Sequence, residues 1–262
     1  MYADLVEDAG SALPILEGEQ GLLAGQLLEA AAGDIAGWTG EGMRLLTVLE
    51  RDYPENLRAA HDRPPLIFVA GALEPGDADS VAVIGTRRPT PAGVALAGAI
   101  AQQLVDSGYA VISGLASGID TAAHTAALSR GGRTIAVIGT GLRRSYPPEN
   151  AALQRKIAAE CAVISQFWPD APPSRRSFPL RNAVMSGLAL ATVVVEATHT
   201  SGARTQARLA LAQGRPVLLV DSLLEQQWAR ELAARPGTHV VHAASEVTAT
   251  VERLTSADTL VA

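Results

Sequence analysis

Val81-Ala82-Val83-Ile84-Gly85-Thr86-Arg87-Arg88-Pro89-Thr90-Pro91 sets a short apolar run, a turn and a helix start in close succession. The run is rich in valine and isoleucine and apolar on both faces, as a strand in a covered parallel sheet is. Thr90 offers a side-chain cap, and Pro91 suits the first helical position because its missing N–H is one that a helix start leaves unbonded. Gly108 stops that helix. The alternation then repeats, with apolar runs at Ala110–Ser113, Thr134–Ile138, Ala162–Ser165, Ala191–Glu196 and Pro216–Val220 separated by longer amphipathic segments. Asp120 is placed to cap the helix that ends at Gly131-Gly132. This β-α-β-α spacing predicts an α/β protein with an open, doubly wound, mostly parallel sheet.

Outward from that core the pattern changes. The first fifty residues show helix-type spacing, as in Leu22-Leu23 with Leu27-Leu28, and glycine punctuation at Gly33, Gly37 and Gly40. They read as a small helical segment, 1–50, without chemistry of its own. Arg63-Pro64-Pro65 leads into the apolar run Leu66-Ile67-Phe68-Val69. The main domain is expected over 51–247 and a tail over 248–262. Val81-Ala82-Val83-Ile84-Gly85-Thr86 returns as Ile135-Ala136-Val137-Ile138-Gly139-Thr140, and Ala110-Val111-Ile112-Ser113 as Ala162-Val163-Ile164-Ser165. Either two similar β-α-β units or merely similar strand endings would produce that echo.

A hydrophobic content of 48% supports a full core, and 4% aromatics argue against a stacking platform of several rings. A single cysteine, Cys161, excludes an internal disulfide or a cysteine-rich metal site and reads as a small buried hydrophobe. Nothing approaches the run of about 18 apolar residues that a membrane helix needs, and Met1-Tyr2-Ala3-Asp4 lacks the basic start of a signal peptide. A cytoplasmic protein is expected. Charge is informative once divided: residues 1–80 hold 15 acids and 4 bases, 81–220 hold 6 and 14, and 221–262 hold 6 and 3. A basic middle between acidic ends is an electrostatic footprint for phosphates.

In a doubly wound sheet, ligands bind beyond the carboxyl ends of the strands. The candidate residues are therefore those after each run: Gly85, Thr86 and Arg87; Ser113, Gly114, Ser117 and Gly118; Gly139 and Gly141; Ser201 and Gly202. Glycines there let backbone N–H groups approach a phosphate, or simply allow tight β-α turns. Glu196 stands at the same rim, either as a ligand contact or as an internal partner for a rim arginine. Arg181-Asn182 suits a phosphate together with a base edge or sugar, or else forms a solvated helix start. His124, within an alanine-rich stretch, reads as a packed or capping residue.

The common phosphate motifs are missing. A Walker A loop needs Gly-Lys-Ser/Thr, yet the only lysine, Lys156, precedes Ile157. A dinucleotide fingerprint fails because the second run ends in Ser113, not an acid, and Arg144 stands where the third loop needs its last glycine. The five histidines form no ligand pattern, and no nucleophile stands beside a base. No cofactor, metal or catalytic residue is expected.

Taken together, Gly85-Thr86-Arg87, Ser113 to Asp120, Ala123-His124-Thr125-Ala126-Ala127-Leu128, Gly139 to Asn150, Phe178 to Asn182, and Val195-Glu196-Ala197 with Ser201-Gly202 resemble the motifs of the DNA-processing protein A (DprA/Smf) family, in order, over about residues 51–220. The resemblance implies an extended Rossmann-type domain that binds single-stranded DNA. It implies protection of incoming DNA in natural transformation, help in loading RecA, a homodimer and no catalytic turnover. Arg87 matches that family's DNA-contacting arginine, and Arg181-Asn182 falls on its second basic element. The chain departs from the pattern at Ala183-Val184-Met185, at Ser201-Gly202-Ala203-Arg204-Thr205-Gln206-Ala207 and at Asp221-Ser222-Leu223, and it ends without the winged helix that many relatives carry. A competing expectation is a domain that senses a mononucleotide or second messenger at the same rim.

Overall fold

The computed structural model describes residues 2–13 and 24–259. Among these, nine strands form one sheet: β1 (Met43–Thr47), β2 (Leu66–Gly71), β3 (Ser80–Ile84), β4 (Ala110–Ser113), β5 (Thr134–Val137), β6 (Ala162–Ser165), β7 (Ala191–Val194), β8 (Val217–Val220) and β9 (Thr238–Val241). Their order across the sheet is β1-β2-β6-β5-β4-β3-β7-β8-β9. From β6 to β9 all neighbours are parallel, while β1–β2 and β2–β6 are antiparallel. The expected runs are strands to within a residue or two. β1 and β9 lie outside them, and both are edge strands with exposed or half-exposed positions. A strand covered on one side only lacks the continuous apolar run that marks the interior of a parallel sheet.

The helices are α1 (Tyr2–Ala9), α2 (Ala24–Gly40), α3 (Glu55–Arg58), α4 (Pro91–Asp106), α5 (Ile119–Ser129), α6 (Ala151–Glu160), α7 (Ser177–Leu188), α8 (Gly202–Ala212), α9 (Gln227–Ala233) and α10 (Ala244–Thr259). Thr90 caps α4 by accepting from the Gly93 N–H, with Pro91 at the first helical position. The N-terminal fifty residues carry β1 as well as helix, and α10 runs across residue 247. Leu22-Leu23 lie outside the described residues.

Alternation along each strand divides the core. Val81 and Val83 of β3 face a cluster with Ile100 and Leu104 of α4, Ile119 and Ala123 of α5, and Val247 and Val251 of α10. Ala82 and Ile84 face the other layer, with Val184, Met185 and Leu188 of α7, Ala203 and Ala207 of α8, and Trp228 and Leu232 of α9. A third cluster under α6 holds Ile138, Ile157 and the buried Cys161. Each fully buried valine, leucine or isoleucine contributes about 1.5–3 kcal/mol. His124 is packed, fully buried, with Nδ1 2.7 Å from the Thr134 hydroxyl. No helix of the described residues is long and apolar enough to cross a membrane.

β3 lies between β4 and β7, so the chain leaves β3 toward one sheet edge and later builds toward the other. The crevice at such a switch point lies beyond the carboxyl ends of β3 and β7. The topology thus selects the loops 85–90 and 195–202 as the place for a ligand.

Candidate functional site

Two hollows meet at this crevice, of about 520 Å³ and 200 Å³, and they share Arg87, Ala116, Phe178 and Arg181. Gly85, Thr86, Asn182, Ser201 and Gly202 line the larger one; Gly114, Ser117 and Gly139 line the smaller. Ten of the fourteen sequence candidates therefore converge on one groove, including Arg87 and Arg181.

Arg87 is exposed, and its guanidinium carbon lies 5.3 Å from the centroid of the Phe178 ring. Within the basic segment, Arg130, Arg133 and Arg143 are engaged by acids. Among the described residues no carboxylate forms an ion pair with Arg87 or Arg88. Arg181 is different: it is 6% exposed and its Nη1 donates to the Val137 carbonyl at 3.0 Å. Burial pushes its pKa down, Asp120 opposes that, and the charge on Arg87 adds to it. Asp120 is also buried and its pKa is raised, first by burial, with Arg181 acting in the opposite sense. Arg87, Arg88 and Arg181 against Glu149 and the buried Asp120 leave the groove lining positive by one charge, and an anion entering it relieves the repulsion between Arg87 and Arg181.

Local structure explains the placement. Arg181 and Asn182 sit in the second turn of α7, both buried, so they are neither at its start nor solvated. Asp120 does not cap α5, whose N-cap position is Gly118. Its Oδ2 accepts from the backbone N–H groups of Gly114 and Ala116 and so ties down the preceding loop. A Cβ at Gly114 would stand 1.3 Å from Arg181 Nη1, so any side chain there displaces the buried guanidinium. Gly118 takes φ of +84°, with the Thr86 carbonyl 2.5 Å from where its Cβ would be.

Ser113, Gly141 and Glu196 line neither hollow, and Ser201 lines the larger one while capping a helix. The Ser113 hydroxyl donates to the Val83 carbonyl at 2.7 Å. Gly141 donates to the Ala171 carbonyl, away from the groove. Among the described residues Glu196 forms no ion pair with a rim arginine: its carboxylate accepts from the Thr90 N–H and hydroxyl, at 3.1 and 2.9 Å. The reason is geometric, since the turn after β7 faces the N-terminus of α4, where donors are unpaired. Ser201 caps α8 by accepting from Ala203.

Phe178, Tyr146, Thr140, Glu149, Thr198, Thr200 and Gln206 also line the groove and were not among the candidates. The Tyr146 and Phe178 rings lie 5.6 Å apart. Both residues stand in the quoted motifs, which was the available signal, but a low aromatic content hid the fact that two rings meet. Glu149 accepts from the Ser117 hydroxyl at 3.0 Å, so that serine is presented to the groove by an acid 32 residues away. Among the described residues no group of acids, histidines or cysteine is placed to hold a metal ion.

A family model described as DNA recombination-mediator protein A matches residues 44–252. The Smf protein of Synechocystis is 36% identical over 229 residues, 82% of this chain and 58% of that relative, so the chain spans less than two thirds of its length. The solved structure of DNA processing protein A (DprA) from Streptococcus pneumoniae is similar with a TM-score of 0.77 at 32% identity, covering 94% of this chain and 89% of that one. DNA processing protein A from Helicobacter pylori, solved to describe its single-stranded DNA binding mode, gives a TM-score of 0.69 at 26% identity, over 80% of this chain and 96% of the other.

Proposed function

The chain belongs to the DNA recombination-mediator protein A family, and on that premise we propose that its groove binds single-stranded DNA through the phosphate backbone. The convergence of exposed Arg87 and buried Arg181 on one groove, with no ion pair to Arg87, carries the proposal. Arg87 supplies a planar fork that holds two phosphate oxygens at once, and Arg181 adds a fixed charge at the floor. The exposed Tyr146 ring, 5.6 Å from Phe178, offers a stacking surface to a base, a contact that tolerates any sequence. The groove's work is to bind and protect rather than to turn over a substrate.

The wider role follows the resemblance: a cytoplasmic homodimer that shields incoming single strands and passes them to RecA. The fold match to a protein studied for single-strand binding supports the DNA part. Light scattering tests the dimer, and a monomer at micromolar concentrations would leave a weaker, non-cooperative binder.

The deciding experiment is fluorescence anisotropy with labelled oligo-dT, in competition with a panel of mononucleotides and cyclic dinucleotides. DNA is expected to bind and the small nucleotides to compete poorly. Tight binding of one nucleotide, with no binding of DNA, would replace this reading by that of a nucleotide sensor.

A further inference from the structure

The first turns of α8 form one wall of the larger hollow through Gly202, Ala203 and Gln206. The same helix carries Arg204 and Arg208, four residues apart and therefore on one face, with Cβ atoms about 5–6 Å apart. Arg235, just beyond α9, joins them around a small notch whose other lining residues are Trp228, Leu232 and Glu231. Arg208 and Arg235 are exposed and Arg204 is half-buried. Among the described residues none of the three forms an ion pair. The Arg204 Nη1 donates to the His199 carbonyl at 3.4 Å, and its Nε is buried without a partner. The nearby acid, Glu231, accepts from Gln227. Three guanidinium groups against one carboxylate leave this surface positive, within a protein whose net charge is −6.

The notch holds about 20 Å³, close to the volume of one probe sphere of water size and far below that of a nucleobase. What fits is an oxygen atom of an anion lying across the surface. Continuity with the groove through α8 and a surplus of uncommitted guanidinium groups favour a polyanion already engaged in the groove.

We propose that Arg204, Arg208 and Arg235 form a second phosphate-contact patch, which grips a single DNA strand where it leaves the groove along α8. The proposal rests on the groove being the DNA site. Its consequence is a length threshold: an oligonucleotide confined to the groove does not feel the patch, and one that spans both sites does. Contacts of this kind are sequence-neutral, because they reach phosphate and not base edges.

The test is a ladder of labelled oligo-dT lengths against the wild type, the triple variant Arg204→Ala/Arg208→Ala/Arg235→Ala, its triple lysine counterpart, and Arg87→Ala. Melting temperature is measured on each. The triple alanine variant is expected to bind the shortest oligonucleotides as the wild type does and to lose roughly tenfold or more on long ones. On long DNA its log–log salt slope is expected to be shallower by about 2, since three contacts to a single strand contribute about 0.7 each. The lysine variant is expected to recover most of the affinity, because a phosphate on an open surface needs charge more than a fork. Wild-type affinity of the triple alanine variant at every length, with loss in Arg87→Ala, would remove the patch from the DNA path and leave the groove intact. Equal loss at all lengths would also overturn the proposal, either as unfolding, if the melting temperature falls, or as part of the groove itself. If the wild type binds no oligonucleotide, the groove reading fails, and the patch with it.

Discussion

Arg87 and Arg181 are the same residue type at one groove, yet their surroundings give them different roles. Arg87 stands in solvent over a ring, so removing it leaves no buried partner exposed. Arg87→Ala is expected to lower single-strand affinity roughly ten- to a hundredfold, the worth of a charge-assisted contact of about 1.5–3 kcal/mol, with little change in melting temperature. Arg87→Lys is expected to recover only part, having no fork. Unchanged affinity in calorimetric titration would show that the groove is not the DNA site. His124 makes a separate prediction about acid. Burial pushes its pKa from 6.5 down to about 3. The native state therefore keeps the ring neutral where the unfolded chain would take a proton. The stability that the neutral ring provides is complete above about pH 6.5 and is lost as pH falls, by about 1.4 kcal/mol per unit. Asp120 works in the opposite direction, because its raised pKa lets the native state take a proton first. The difference between wild-type and His124→Gln urea-denaturation curves over about pH 4–7 isolates the histidine. Parallel curves would contradict it.

At the scale of elements, the site is held by contacts that cross the switch point. Glu196, after β7, binds the donors at the start of α4 and thereby fixes the loop that carries Arg87. Asp120, in the first turn of α5, fixes the loop after β4 in the same way. Both carboxylates accept from backbone N–H groups, so neither forms a short ion pair that would neutralise Arg87. Glu196→Ala is expected to cost about 1–2 kcal/mol, a partly exposed charge-assisted pair, and to lower the melting point by about 2–4 °C per kcal/mol. DNA affinity is expected to change less than tenfold. A large affinity loss at an unchanged melting temperature would instead make Glu196 a ligand contact.

For the molecule as a whole, a net charge of −6 opposes polyanion binding at long range while a local surplus of arginine permits it. The basic sum over residues 81–220 overstates what a ligand meets, since Arg130, Arg133 and Arg143 are engaged by acids and Arg181 is buried. Binding is expected to weaken with salt at a log–log slope of about −2 for an oligonucleotide that fills only the groove, as three phosphate contacts to a single strand would give. Anisotropy titrations at several salt concentrations measure it, and a slope near zero would exclude phosphate neutralisation as the driving force.

The succession of apolar runs and capped helices by itself determined the doubly wound sheet, because interior parallel strands such as Val81–Ile84 must be apolar on both faces and β-α turns need glycine. The ordered rim motifs likewise determined the family and most of the residues that converge on the groove. Only the tertiary structure decided which of those residues line the groove. Arg181 and Asp120 are 61 positions apart in the chain, and their burial together depends on how α7 packs beside the loop after β4. Glu196 turned inward because the N-terminus of α4 lies across the switch point. The edge strands β1 and β9 escaped the pattern because half-exposed strands need no continuous apolar run. Periodicity reports burial along one element, whereas a binding surface is made where elements distant in sequence meet.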